Sequence, residues 1–249
     1  MLKEEKPNKL EGIEMTNPFA DMSQRKAARI AGLLYLTVIV LGIFANLYVR
    51  FSLIVPGDAA ATANNIMANE LLFRLSFVSD LIMALCWFLL GLALYVLLKP
   101  VNKKIALLMV LSFLAGVPII MLNLLNHFAA LLLLNGADYL TVFTTDQLHA
   151  LVLLFLTLHK HGYIIAAIFT SFCLLPLGYL VYKSGYFPRV LGLLLLIGPI
   201  FGLIDHFAVF LFPSFADFSI LVTLPLIIAE FSTCGWLLLK GAKIPEMKS

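Results

Sequence analysis

The side chains best suited to chemistry in this sequence are ionisable residues that interrupt long apolar segments: Asp80, His127, Asp205, His206 and Glu230. Such groups are costly at bilayer depth, so each is a candidate for binding a ligand or an ion. A buried carboxylate needs a cationic partner or a proton. Asp80 is therefore expected to serve a ligand or to pair with an arginine or histidine. Asp205 and His206 are adjacent and point about 100° apart on a helix, so only one of them easily faces a bundle centre.

Arg74 and His161 are two further candidates, near the ends of apolar segments. Arg74 follows Glu70 by one helical turn, so it pairs with that carboxylate, reaches the lipid headgroups, or stands at the mouth of a site. His161 lies with His159 and Lys160 at the predicted outer mouth of a membrane span. An interfacial position for these histidines is the simplest interpretation.

Two of the candidates, Asp80 and His127, have polar neighbours that would give them a structural role. Ser76 precedes Asp80 by one turn and is placed to donate a hydrogen bond to it. His127 lies close to Asn123 and Asn126, and such polar groups can bind helices together within a membrane. The sequence leaves both the structural and the functional interpretation open.

Metal and nucleotide chemistry is not indicated by the motifs, and no cofactor follows from them. The sequence has no HxxxH, HExxH, Walker, Rossmann or GxSxG pattern. His159 and His161 are two residues apart, which is wrong for one helical face. A metal-dependent hydrolase would need a centre assembled from separate spans. Its ligands could be His127, His161, His206 and Asp80, with Ser76 placing a carbonyl for attack by metal-activated water.

The composition is that of a membrane protein. Apolar residues make up 62% of the chain and charged residues 12%, with a mean hydropathy of +1.01, whereas soluble domains are roughly half apolar and about a quarter charged. The basic residues lie without interleaved aromatics, so nucleic-acid binding is not supported. The three cysteines sit in apolar segments without a CxxC spacing and read as buried apolar residues.

Six apolar segments are long enough to cross a bilayer, which takes ~20 residues each. They predict an all-α, polytopic helical bundle with spans at about 28–49, 71–98, 105–134, 162–182, 190–210 and 218–239. The domain is predicted over 25–241, between a disordered polar tail at 1–24 and a polar tail at 242–249. No secretory signal peptide is expected, and Met15 is a second plausible start.

The segments between the spans carry three local predictions. Residues 50–69 should be a polar connection, in which Asp58 caps a short helix. The third span exceeds a ~30 Å core and must tilt, bend at Pro118, or protrude. A separate helix at 144–158, capped by Thr145 or Asp146, should lie on the membrane surface or dock against that protruding span.

The basic residues predict the orientation of the spans. Fourteen of them fall in one set of loops and tails, and only Arg50, Arg74 and Lys160 fall elsewhere. The first set comprises Lys3, Lys6, Lys9, Arg25, Lys26, Arg29, Lys99, Lys103, Lys104, Lys183, Arg189, Lys240, Lys243 and Lys248. Short basic loops stay cytoplasmic, so both termini should be cytoplasmic. The ionisable candidates then converge on the outer half of the membrane, which predicts an outward-facing polar cavity.

Several short motifs together resemble one bacterial family, the "domain of unknown function 4386" family (DUF4386). They are His161-Gly162, Leu177-Gly178-Tyr179-Leu180, Lys183-Ser184-Gly185, Pro188-Arg189-Val190-Leu191-Gly192 and Gly202-Leu203-Ile204-Asp205, with Arg29 to Leu33, Tyr35, Arg74 before Asp80, and Glu230 before Trp236 to Gly241. The resemblance covers roughly Arg25 to Gly241. It implies a six-span bacterial inner-membrane protein and no particular activity. Pro176 and Pro199 depart from the family's usual spans.

The function predicted from these observations is to bind or translocate a small molecule, an ion or a lipid. The seven predicted ligand-binding residues are Arg74, Asp80, His127, His161, Asp205, His206 and Glu230. The alternatives are a metal-dependent intramembrane hydrolase and a structural or regulatory subunit. The lipid bilayer is the predicted partner. Whether the chain forms a homo-oligomer is left open by the sequence.

Overall fold

A computed structural model describes residues 24–243 of the chain. Almost all of both predicted tails therefore lies outside the described residues; only Gln24, Ala242 and Lys243 belong to them. Within the described part the secondary structure is helical, without strands. Six helices are long and apolar enough to cross a membrane, which confirms the predicted number of spans.

The first span runs further than predicted. Helix α1 (Gln24–Ile43) continues through a π-helical segment (Phe44–Arg50) into the short α2 (Phe51–Leu53), so the helix ends at Leu53. The prediction that the polar connection starts at residue 50 is wrong, because Arg50 lies buried inside this continuous helix. Asp58 caps α3 (Ala59–Ala68) as predicted, since its side chain accepts a hydrogen bond from the Ala61 backbone N–H at 2.8 Å.

The next two spans follow the predicted limits closely. Helix α4 spans Glu70–Leu98 and α5 spans Lys103–Leu134, with Pro118 inside α5. Asn102 caps α5 by accepting hydrogen bonds from the backbone N–H groups of Lys104 and Ile105. At ~1.5 Å per residue, α5 is about 48 Å long and extends beyond a ~30 Å hydrocarbon core.

Helix α6 (Thr145–Ser184) joins two elements that the sequence predicts to be separate. It is about 60 Å long and packs along α5, so the 144–158 segment docks against the third span as a continuation of the fourth. The cap is Thr144 instead of Thr145 or Asp146. Thr144 Oγ1 accepts from the Gln147 N–H, while Gln147 Oε1 accepts from the Thr144 N–H, which makes a capping box.

The last two spans complete a closed bundle. They are α7 (Arg189–Leu211) and α8 (Ser219–Leu239), joined by a 3₁₀ segment. Consecutive spans pack side by side, and α8 packs back against α1. The backbone N–H of Lys243 bonds to the Tyr186 carbonyl at 3.1 Å, which ties the segment after α8 to the α6–α7 turn. We call this end, where the basic loops gather, the basic end, and the opposite one the far end.

Glycines let three of the spans approach closely. A Cβ on Gly178 of α6 would lie 2.8–2.9 Å from the Leu195 backbone of α7, and one on Gly192 would lie 2.6 Å from Tyr182 Cβ. A Cβ on Gly198 of α7 would lie 2.8 Å from the Pro225 carbonyl oxygen of α8. Small residues permit such backbone contact between membrane helices. The α6–α7–α8 half of the bundle is therefore held at fixed spacing.

Candidate functional site

A cavity of about 580 Å³ lies among all six spans, from the middle of the bundle towards the far end. Its wall is mostly aliphatic and aromatic, from residues such as Val38, Ile39, Met83, Trp87 and Leu174. A few polar side chains interrupt that wall. The main ones are Tyr35, Asn46, Tyr163, Ser171, His206 and Glu230.

Two polar pairs in the wall join neighbouring helices. The Tyr35 hydroxyl on α1 donates to Glu230 Oε1 on α8, at 3.3 Å. The Ser171 hydroxyl on α6 lies 3.1 Å from His206 Nε2 on α7. Glu230 is only half-buried, so its carboxylate lies at the surface of the cavity. Together with Asn46 and Tyr163, these two pairs are the main polar features that a ligand in the cavity can reach.

The cavity opens sideways between α1 and α8. These helices touch near the basic end, where a Cβ on Gly32 would lie 3.1 Å from the Leu237 backbone. Towards the far end, the cavity wall includes Ile43, Leu47 and Phe231, which are 43%, 65% and 50% exposed on the bundle surface. Because these side chains belong to both the wall and the outer surface, the opening faces the region where lipid tails would lie.

A second polar cluster lies behind the cavity wall, and its centre is a buried ion pair between Arg50 and Asp80. Arg50 Nη1 is 2.5 Å from Asp80 Oδ2, and Nη2 is 3.3 Å from Oδ1, a two-point contact. The side chains are 8% and 0% exposed. Asn46 Oδ1 accepts from Arg50 Nη2 at 2.6 Å and from Nε at 3.2 Å. The π-helical segment carries both Asn46 and Arg50, and such segments are frequent at functional sites.

Two buried histidines complete the cluster. His127 on α5 stacks on Phe73 with ring centroids 4.1 Å apart, and its Nε2 lies 3.3 Å from the Phe73 carbonyl oxygen. His159 on α6 places Nδ1 3.3 Å from the Asn123 carbonyl oxygen. The Asn123 side-chain amide donates to the His159 carbonyl at 2.8 Å. One ligand atom each of Asp80, His127 and His159 lies within 4.8 Å of the others.

The cavity and the cluster are neighbours. Asn46 lines the cavity and also binds Arg50. Tyr163 lines the cavity, and its ring centroid lies 6.4 Å from that of His159. Asn46 and Tyr163 are therefore shared between the cavity wall and the cluster.

Comparison with known proteins places the chain in a family. A family model described as "Domain of unknown function (DUF4386)" matches residues 30–241. The chain belongs to the DUF4386 family. It is also 31% identical over 159 residues to an uncharacterized protein of Archaeoglobus fulgidus, a match that covers 63% of this chain and 78% of the relative. No solved structure matches the chain.

The residues proposed as a site on this DUF4386 chain lie at the cavity, in the buried cluster, or away from both. Glu230 and His206 line the cavity, and Asp80 and His127 belong to the buried cluster. Asp205 stands beside the cavity, where its Oδ1 accepts from the Ser219 hydroxyl and its Oδ2 lies 3.5 Å from His206 Nδ1. The two adjacent side chains therefore contact each other, and each also has a serine partner on another helix, Ser219 for Asp205 and Ser171 for His206.

Arg74 and His161 lie apart from both. Arg74 Nη2 is 2.6 Å from Glu70 Oε1 in an exposed ion pair. His161 Nδ1 lies 2.8 Å from the Thr157 carbonyl oxygen on its own helix. Neither residue lines the cavity. The hydrogen bond predicted from Ser76 to Asp80 is not formed, because the Ser76 hydroxyl donates to the Phe73 carbonyl at 2.8 Å.

Sequence reasoning missed two central residues, Arg50 and His159. The sequence predicts a polar connection that begins at residue 50, which puts Arg50 in a loop. It predicts a fourth span from about residue 162, which leaves His159 at an interface. The stretch from Thr145 to His161 contains no proline or glycine, and that absence was the available sign of a continuous helix.

Proposed function

We propose that this DUF4386 protein binds one small amphiphile taken from the lipid bilayer through the opening between α1 and α8. The observation that carries the proposal is the cavity itself. Ligand sites of ~300–1,000 Å³ with mostly apolar walls and a few polar groups suit drug-sized molecules. The volume of about 580 Å³ lies within that range, and the side opening faces the lipid region.

The polar groups favour a ligand with a hydroxyl or amine head. Among the described residues, the Glu230 carboxyl group receives one hydrogen bond, from Tyr35 at a long 3.3 Å, so it has acceptor capacity left for a donor on the ligand. A carboxylate head would bring a second negative charge to Glu230 in a poorly hydrated place. The proposed class is therefore a neutral or cationic amphiphile such as an acylglycerol or a long-chain amine.

The location of the protein and its orientation in the membrane are part of the proposal. The gathering of basic residues at one end supports cytoplasmic termini and an outward position for the far half of the cavity. The bacterial inner membrane is the proposed location, as a multi-pass protein. Ligand capture would then take place in the outer leaflet.

A cavity-filling substitution tests the binding proposal. Ala167→Phe adds a ring to the α6 wall of the cavity and is expected to abolish retention of the amphiphile. The measurement is native mass spectrometry of the protein purified in mild detergent, with lipid extraction to identify the bound species. Wild type should show one bound molecule per chain at a discrete mass.

The matched control is Ile165→Phe, two residues away on the same helix and 44% exposed to the surroundings of the bundle. It adds a ring without entering the cavity, so ligand occupancy should stay at the wild-type level. Equal occupancy in wild type, Ala167→Phe and Ile165→Phe would reject the cavity as the binding site.

A further inference from the structure

We propose that Asp80, His127 and His159 form a binding site for one divalent first-row transition-metal ion. The inference goes beyond the proposed function and does not rest on it. The three residues come from α4, α5 and α6 and are 0%, 0% and 3% exposed. Their ligand atoms lie within 4.8 Å of one another, so a closure of the order of an ångström brings them onto one ion at ligand distances of ~2.0–2.2 Å.

A backbone carbonyl lies against one nitrogen of each histidine. Nε2 of His127 lies 3.3 Å from the Phe73 carbonyl, so it carries the proton and leaves the lone pair on Nδ1. Nδ1 of His159 lies 3.3 Å from both the carbonyl oxygen and the side-chain amide nitrogen of Asn123, and in the tautomer that donates to the carbonyl the lone pair is on Nε2. Within the described part of the chain, Nδ1 of His127 and Nε2 of His159 are buried and have no hydrogen-bond partner.

A buried nitrogen without a hydrogen-bond partner is costly, so two of them beside a buried carboxylate favour a bound ligand. Metal-binding histidines characteristically donate their other ring N–H to a backbone carbonyl or a carboxylate. His127 has the Phe73 carbonyl for this, and His159 has the Asn123 carbonyl in the metal-binding tautomer. Two imidazoles and one carboxylate, with a fourth position open, are a ligand set typical of Zn²⁺ and Fe²⁺.

Arg50 affects both the lone pairs that Asp80 can offer to an ion and the net charge of the site once the ion is bound. It engages both oxygens of Asp80, but each carboxylate oxygen keeps a second lone pair for a metal. The Arg50 charge already balances that of Asp80, so a divalent ion leaves the buried cluster positive. An anionic fourth ligand, such as hydroxide, reduces that excess.

The experiment is a metal titration of the full chain, purified in detergent without a histidine tag and stripped with a chelator. Wild type is expected to bind one Co²⁺ per chain with a visible absorption band, and Zn²⁺ should displace it. His127→Ala and His159→Ala should each weaken Co²⁺ binding about tenfold or more. X-ray absorption at the zinc edge of wild type should show two imidazole ligands, a result that needs no substitution.

His161→Ala and His206→Ala are the matched controls, because both histidines lie outside the cluster. Both should keep wild-type Co²⁺ stoichiometry and affinity. Absence of stoichiometric Co²⁺ and Zn²⁺ binding in folded wild type would overturn the proposal. Zinc bound without imidazole ligands in the absorption spectrum would overturn it equally.

Discussion

In protein stripped of metal, replacing Arg50 by methionine is expected to lower the free energy of unfolding by about 3–5 kcal/mol, because it leaves a buried carboxylate without its counter-charge. Asp80 is fully buried, and among the described residues Arg50 is its ion-pair partner. The substitution also leaves Asn46 Oδ1 without two donors. Unfolding in detergent micelles, followed by helical circular dichroism as denaturing detergent is added, measures the loss.

Arg74→Met is the matched control on the same type of side chain. Its ion pair with Glu70 is about half exposed, and such pairs contribute at most about 1 kcal/mol. The double variant Arg50→Met/Asp80→Leu should recover much of the stability lost in Arg50→Met, since no buried charge remains. Similar small losses for Arg50→Met and Arg74→Met would show that the Arg50–Asp80 pair does not hold the far end together.

The second large effect is expected at the glycine contact between α6 and α7. Gly178→Ala puts a methyl group 2.8–2.9 Å from the backbone of Leu195, which is closer than real Cβ contacts. Backbone atoms cannot turn aside as a flexible side chain can, so the helices must separate. We expect a destabilisation of about 1–3 kcal/mol, the usual cost of overpacking. The same detergent-unfolding assay detects it.

Gly235→Ala is the matched control, because a Cβ there meets nothing within 4 Å. Gly235 lies inside α8, where alanine favours the helix by about 1 kcal/mol over glycine. This variant should therefore be as stable as wild type or slightly more stable. If Gly178→Ala were as well tolerated as Gly235→Ala, the close approach of α6 and α7 would be refuted.

The span count could be predicted from the sequence because long apolar segments have few other stable environments. Asp58 and Asn102 are of residue types that are preferred as helix N-caps, so they also indicate where α3 and α5 begin. The exact course of the first span could not be predicted. No local pattern distinguishes its π-helical segment, Phe44–Arg50, from ordinary helix.

The candidate site was harder to predict because its partners are far apart in sequence. Asp80 was expected to find an arginine or a histidine, but the distance of 30 residues to Arg50 carries no local signal. Glu230 and Tyr35 are separated by 195 residues, and only the closure of α8 onto α1 joins them. The sequence therefore indicated which groups need partners, while the bundle determines which partners they have.

Photolabelling tests the central claim most directly, namely that an amphiphile occupies the cavity between α1 and α8. The probe is a monoacylglycerol with a photoactivatable diazirine in its chain, applied to the full protein in lipid nanodiscs, and labelled peptides are sequenced by mass spectrometry. The account predicts labelling that saturates, that maps to cavity residues such as Gly42 and Ile227, and that Ala167→Phe removes. Labelling confined to lipid-facing residues such as Leu122, unchanged by Ala167→Phe, would contradict it.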